Sequence, residues 1–207
     1  MKLTNILAAL LLTVSLGFSG TALAASDSAG TPSAVVKNFY ATLTETMKQG
    51  NKLGFSGRYK KLAPAIQASF NLPLMTRVAV GPTWLKANAD EQKQLISAFS
   101  DFSVANYASQ FSGYDGERFS VIGEKPAAGG GTIVETKLQP KGADAVALNY
   151  LMKQDDQGHW RIVDVFLDGA VSELATRRAE FSSIVEHDGI PALVNQLDSK
   201  SKQMGPS

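Results

Sequence analysis

The chain of 207 residues contains no cysteine and only two histidines. Without cysteine, the fold cannot depend on disulfide bonds, and no lipoprotein anchor can form. His159 follows a predicted turn, and Glu186-His187-Asp188 is contiguous, so its three side chains cannot face one metal from a single helical face. The chain after residue 24 also lacks a zinc-protease motif, a catalytic serine elbow and a Walker loop. We therefore expect no metal site, no cofactor and no catalytic residues.

An excess of charge of either sign is missing as well, because 20 basic residues face 19 acidic ones. This balance argues against nucleic acid as a partner and against purely electrostatic binding to anionic lipid surfaces. Long apolar runs are equally scarce. Ile6–Leu16 is too short, and too interrupted by polar residues, to span a bilayer comfortably.

The apolar run near the N-terminus has the features of a secretory signal peptide. Lys2 precedes it, and Ala22-Leu23-Ala24 supplies a small-x-small cleavage site. We predict a signal peptide at residues 1–24, a flexible leader at 25–32 and one α+β domain at 33–203. A retained membrane anchor is the alternative interpretation. The mature protein is expected to be exported, soluble and monomeric.

Helical periodicity dominates the first half of the chain. Thr31-Pro32 predicts a helix start, and apolar residues then recur at helical spacing to Met47. Residues 49–57 hold three glycines and predict a loop, followed by a helix at about 58–70 in which Pro64 is a candidate kink. A short helix at 74–80 is expected to end at Gly81-Pro82. Asn88 and Glu91 form a capping box that opens a long helix ending near residue 113.

The apolar period changes from 3.6 to 2 at Phe119. Strands are predicted at 119–122, 132–139, 145–153 and 160–167, with helices near 171–185 and 190–202. Helices, then an antiparallel sheet of about four strands, then helices again indicate an α+β fold.

The segment at 158–181 predicts a strand that continues through Gly169 directly into an amphipathic helix, which would form one wall of a cavity. Asp164 lies inside this apolar strand, where an ionised carboxylate is costly unless it is paired or hydrogen bonded. It could be a proton-abstracting base, as in small dehydratases and isomerases. The favoured alternative is structural: Asp164 accepts bonds from the backbone or from an arginine and holds the sheet to a helix. The candidate arginines are Arg77, Arg161, Arg177 and Arg178.

Several segments in order carry a family resemblance. They are residues 70–84, 91–94 and 111–114, then Trp160-Arg161-Ile162-Val163-Asp164-Val165 and Asp168-Gly169. Together they resemble the MlaC / toluene-tolerance auxiliary family of exported lipid-binding proteins. Residues 172–181 look most like its hopanoid-associated HpnM branch. The resemblance implies a periplasmic carrier with an NTF2-like curved antiparallel sheet and surrounding helices, serving as an auxiliary to an ABC transporter.

The resemblance also implies a cargo and partners. Such carriers enclose the apolar part of a membrane lipid and pass it between inner- and outer-membrane transport complexes. Phospholipid-carrying members tend to have Gly-x-Ser where this chain has Gly169-Ala170-Val171-Ser172. The extra residue leaves both a phospholipid and a hopanoid open as the cargo.

Such a carrier must shield the hydrocarbon part of its lipid from water. A hydrocarbon chain costs roughly 0.8 kcal/mol per methylene exposed to water, so about 16 carbons cost on the order of 12 kcal/mol. An apolar pocket supplies this without a catalytic group. A cavity enzyme using Asp164 and a non-binding adaptor are the other hypotheses. The residues predicted to line the lipid pocket are Phe70, Leu74, Val78, Phe99, Phe102, Tyr150, Met152 and Phe166.

Overall fold

The computed structural model describes residues 30–205, in which four helices precede an antiparallel sheet and two helices follow it. The helices are α1 (Pro32–Lys48), α2 (Gly50–Ser69), α3 (Leu72–Val80), α4 (Ala89–Gln110), α5 (Glu173–His187) and α6 (Ile190–Met204), with a 3₁₀ turn at Gly81–Leu85. The strands are β1 (Arg118–Pro126), β2 (Thr132–Gln139), β3 (Val146–Gln154), β4 (Trp160–Leu167) and β5 (Val171–Ser172). This confirms the predicted α+β fold. The predicted signal peptide lies outside the described residues.

Two helix starts form as their sequences predict. The Thr31 hydroxyl oxygen accepts a hydrogen bond from the Ala34 amide at 3.2 Å and caps α1. At α4, the Asn88 side chain accepts from the Glu91 amide at 3.0 Å, and the Glu91 carboxylate accepts from the Asn88 amide at 2.8 Å. This reciprocal capping box fixes where the longest helix begins.

The loop predicted at 49–57 is wrong, because α2 begins at Gly50 and continues to Ser69. Gly54, with φ 60° and ψ −177°, is a non-helical kink that divides α2 into two helical segments, and the second segment continues through Pro64. Contacts with α4 explain the difference. The Arg58 guanidinium donates to the carbonyl of Ala108 on α4 at 2.8 Å and to that of Gly50, at the start of α2, at 3.0 Å. These two bonds hold a conformation that the glycines disfavour.

The sheet has the order β1-β2-β3-β4-β5, with every neighbouring pair antiparallel. The prediction of about four strands missed β5, and β4 does not continue directly into α5. Asp168 (φ 49°) and Gly169 (φ 75°) instead form a tight turn closed by the Ala170 amide, which donates to the Leu167 carbonyl at 3.1 Å. Positive φ at both central residues is typical of a type I′ hairpin, for which Asp-Gly is a preferred sequence.

The outer strand β1 is longer than predicted and carries an irregularity. Its register against β2 shifts between Val121 and Gly123, which leaves the Ile122 side chain 57% exposed. On the interior side of the sheet, Phe39 of α1 meets two rings edge-on, each at a centroid distance of 5.3 Å: Tyr107 of α4 and Phe70, the C-cap residue of α2. The core therefore lies between the sheet and these helices.

No helix within residues 30–205 has both the length and the apolar character needed to cross a bilayer.

Candidate functional site

A cavity of about 190 Å³ lies between α4, the sheet and the first turns of α5. Most of its wall is aromatic or aliphatic. The apolar lining residues are Ile66, Phe70, Leu72, Met75, Phe99, Phe102, Tyr107, Phe111, Leu148, Tyr150, Val165, Leu167 and Leu174.

The periodicity of each element explains how the wall forms. On α4, Phe99, Phe102 and Tyr107 recur at spacings that keep them on one helical face. In the sheet, Leu148 and Tyr150 are two residues apart on β3, so both point to the same side. Helix and sheet thus each present one apolar face to the same cavity.

Polar side chains are grouped where α4 approaches α5. Gln110 donates its amide to Asn106 at 2.9 Å, and both residues belong to the cavity wall. The Arg177 guanidinium lies over the Phe102 ring at 5.2 Å and pairs with Glu180 at 3.4 Å and Glu173 at 3.9 Å. The cation at this end of the cavity is therefore already compensated by two carboxylates.

Two tyrosine hydroxyls belong to the interior of the wall. Burial is the main cause that raises the pKa of Tyr107 and of Tyr150. The neighbouring tyrosines raise the pKa of Tyr150 further, whereas the hydrogen bond with Tyr150 offsets part of the rise at Tyr107. Since an ordinary tyrosine already titrates near pH 10, both hydroxyls stay neutral at physiological pH. A third ring, Tyr40, is hydrogen bonded through its hydroxyl to Thr136 at 2.7 Å. Tyr107 and Tyr150 thus contribute neutral polar groups to the wall, and its charged residues are Glu173 and Arg177 of α5.

Four of the predicted lining residues belong to the observed wall: Phe70, Phe99, Phe102 and Tyr150. The other four lie outside it. On α3, Leu72 and Met75 face the cavity, so Leu74 and Val78 fall on a different side of the helix. Leu74 instead lines a surface groove with Trp84. Leu74 and Val78 are therefore not part of the cavity wall in this structure.

The two remaining predicted residues are in the sheet. Phe166 lies between Val165 and Leu167, which both line the cavity, so its side chain projects from the opposite face of β4. Met152 shares a strand face with Tyr150 but is fully buried in the core, beyond the cavity. The participation of any of the eight residues in lipid binding stays a prediction.

Sequence reasoning omitted several residues of the wall, notably Tyr107, Phe111 and Leu148. A usable signal was present for Tyr107, because it continues the α4 stripe begun by Phe99 and Phe102. Phe111 is the C-cap of α4, where helical periodicity ends, so its direction could not be read from spacing.

Asp164 is 8% exposed and lies outside the cavity wall. Its Oδ1 accepts from the amides of Val165 at 2.7 Å and Leu174 at 3.0 Å, and its Oδ2 accepts from the Ser172 hydroxyl at 2.6 Å. Ser172 Oγ in turn accepts from the Ala175 amide at 2.9 Å. The carboxylate therefore joins β4 to the start of α5, as the structural interpretation predicts, and its bonds come from backbone and serine rather than from arginine.

No group of three histidine, cysteine or acidic side chains in the part of the chain that the structure describes is arranged to hold a metal ion.

Comparison with known proteins gives two findings. The family model described as MlaC protein matches residues 37–199. A solved structure, the phospholipid-binding protein from Ralstonia solanacearum in complex with a phospholipid, is similar with a TM-score of 0.71 and 21% sequence identity. That match covers 83% of this chain and 97% of the other. At this level of identity the likeness establishes a common fold.

Proposed function

The chain belongs to the MlaC protein family, and from this premise we propose that it is a periplasmic carrier that encloses the apolar part of a membrane lipid. The observation that carries the proposal is the cavity between α4, the sheet and α5, whose wall is mostly aromatic and aliphatic and whose charged residues, Glu173 and Arg177, pair with each other. Such a wall shields hydrocarbon from water by burial and dispersion alone. The solved neighbour, which holds a phospholipid, supports the same conclusion.

The polar end of the cargo remains at the rim in this proposal. Asn106 and Gln110 offer neutral hydrogen-bonding groups there, and Arg177 is compensated by Glu173 and Glu180. A hopanoid and a phospholipid both combine an apolar body with a polar end, so both are candidate cargoes. The Asp168-Gly169 turn, which joins β4 to β5, lies next to the cavity residue Leu167.

The carrier role also includes exchange with membrane complexes. We propose that the protein is exported through its signal peptide, acts as a monomer and passes lipid between inner- and outer-membrane transport complexes as an auxiliary to an ABC transporter. It performs no catalysis in this scheme. The position of Asp164, whose oxygens are occupied by three donors outside the cavity, favours the carrier over an enzyme that uses this residue as a base.

Native mass spectrometry of protein purified from its own host, followed by extraction and identification of bound lipid, tests the proposal. We expect one lipid in substoichiometric to equal amount, and the extract identifies it as hopanoid or phospholipid. Phe102→Asp places a carboxylate in the cavity wall and should abolish the lipid peak. The matched control Ile122→Asp lies on the exposed outer strand and should retain it.

Wild-type protein that carries no lipid, and takes none up from vesicles of host lipid, would contradict the carrier proposal. Retention of lipid by a folded Phe102→Asp variant would show that the lipid lies elsewhere.

A further inference from the structure

A second space lies on the other side of the aromatic core from the cavity. It is a groove of about 370 Å³ between α1 and β1, lined by Lys37, Tyr40, Ala41, Thr44, Glu45, Lys48 and Phe119. Its floor is formed by the rings of Tyr40 and Phe119 together with Ala41, and its charged residues are on α1. The groove shares no lining residue with the cavity.

A double layer of rings lies between the two spaces. Phe111 and Tyr150 belong to the cavity wall, and Phe119 and Tyr40 belong to the groove. The Phe111 and Phe119 centroids are 5.9 Å apart, those of Tyr150 and Tyr40 are 5.8 Å apart, and Tyr40 packs on Phe119 at 4.7 Å. These distances correspond to rings in contact, so the partition is closed in this structure.

The two halves of the partition are held very differently. Tyr40 is 5% exposed and hydrogen bonded to Thr136, and Tyr150 is 2% exposed on the central strand β3. The phenylalanine half has no polar group to anchor it. Phe111 is the C-cap residue of α4, and Phe119 is on the outer strand β1; both rings are only partly buried. The phenylalanine pair is therefore the half that can move.

The size of the cavity gives a reason for such movement. At about 190 Å³ the cavity is smaller than the roughly 300–1,000 Å³ typical of ligand pockets. We propose that Phe119, together with Phe111, is a movable partition that turns aside so that the end of a lipid tail passes from the cavity into the groove over Tyr40. This inference rests on the proposed function, because its occupant is the tail of the carried lipid. Phe119 then sets the tail length that the protein accepts.

Substitution of Phe119 tests the partition directly. Affinities are measured for a series of saturated phospholipids from 12 to 20 carbons per chain, by competition against a fluorescent lipid. Phe119→Ala should shift preference toward longer chains, by about fourfold for each additional methylene that becomes buried. Phe119→Trp should shift it toward shorter chains. Phe55→Ala, a partly buried ring that packs on Tyr59 away from both spaces, is the matched control and should keep the wild-type preference.

The outcomes separate the two proposals. A wild-type protein that binds no lipid of any length overturns the proposed function and the partition with it. A wild-type protein that binds lipids, with a length preference that both folded Phe119 variants retain, overturns the partition alone.

A labelling experiment reports on the groove without altering the rings. The chain has no cysteine, so Ala41→Cys introduces a single thiol at an exposed position in the groove. Loading with a long-chain phospholipid should slow its reaction with a small polar maleimide at least threefold, whereas a 12-carbon lipid should not. Ile122→Cys, exposed outside the groove, should react equally in all states. If the Ala41→Cys variant reacted with the maleimide at equal rates when loaded with long-chain and with 12-carbon lipid, the inference would be overturned.

Discussion

The cavity wall and the corner between β4 and α5 lie side by side, yet they are built on opposite principles. Most of the wall consists of rings and aliphatic side chains whose contacts have little directionality. The corner depends on one buried carboxylate, Asp164, that satisfies three donors with bonds of 2.6–3.0 Å. The difference teaches that the part which must accommodate a ligand is permissive in shape, whereas the part which positions α5 beside it is fixed by geometry.

The largest expected effect comes from removing the carboxylate in the corner. Asp164→Ala leaves the buried Leu174 amide and the part-buried Ser172 hydroxyl without their acceptor, so we expect a loss of about 3 kcal/mol in the free energy of unfolding. Urea denaturation followed by circular dichroism measures it. The exposed Asp156→Ala is the control and should change stability by less than about 0.5 kcal/mol.

Asp164→Asn sharpens the same test. The asparagine side chain keeps one acceptor oxygen, so this variant should lose less free energy of unfolding than Asp164→Ala. If Asp164→Ala were as stable as the wild type, the corner would not depend on these hydrogen bonds and the comparison would collapse.

A smaller effect is expected from reshaping the wall at constant volume. Met75→Leu exchanges one flexible apolar side chain of the wall for another of similar size, which should cost less than about 1.5 kcal/mol. Lipid affinity should remain within about threefold of the wild type, as measured by competition with a fluorescent lipid. Met204→Leu, at the end of α6 and away from the cavity, provides the control. If Met75→Leu lowered the free energy of unfolding as much as Asp164→Ala, the wall would tolerate changes of shape no better than the corner does.

The smallest effect should come from the ion pairs near the rim. Burial raises the pKa of Glu180, but Lys200 and Arg177 outweigh it, so the pKa lies below its ordinary value of 4.5. The pairing therefore contributes stability at pH values above the ordinary pKa of 4.5. That contribution is lost as the pH falls through the lowered pKa of Glu180. Because both partners are about one-third exposed, Lys200→Gln should cost less than about 1 kcal/mol at pH 7.

The difference between Lys200→Gln and the wild type should shrink as the pH is lowered below 4, which denaturation at several pH values measures. Lys93→Gln, whose partner Asp90 is highly exposed, should show almost no effect at any pH. A Lys200→Gln deficit that grows in acid would contradict the lowered pKa of Glu180.

Local sequence signals predicted those elements whose ends are fixed by their own residues. The capping box at Asn88 and Glu91 located α4, and the bounds of β2 and β4 followed from alternation between turn residues. The start of α2 was missed because Arg58 stabilises it through two distant carbonyls. One belongs to Ala108 on α4, and the other belongs to Gly50, on the other side of the kink at Gly54. β5 was missed because two residues are too few to show a period.

The cavity could be predicted only in part for a related physical reason. An aromatic residue on an apolar face can be inferred from spacing, as for Phe99 and Phe102, but the rotation of a short helix cannot. On the nine-residue α3, nearly every position is apolar, so the sequence did not distinguish Leu72 and Met75 from Leu74 and Val78. The difference depends on how α3 packs against the rest of the molecule, which is a tertiary property.

The irregular step at Ile122 in β1 has a consequence for how molecules meet one another in solution. β1 is the outermost strand, and its exposed amides and carbonyls could otherwise serve as a template for a strand of another molecule. The shift between Val121 and Gly123 breaks the even spacing of these groups, and Pro126 removes one donor at the strand end. A strand of another molecule that paired with β1 would lose its register near Ile122, so this edge resists edge-to-edge association of sheets.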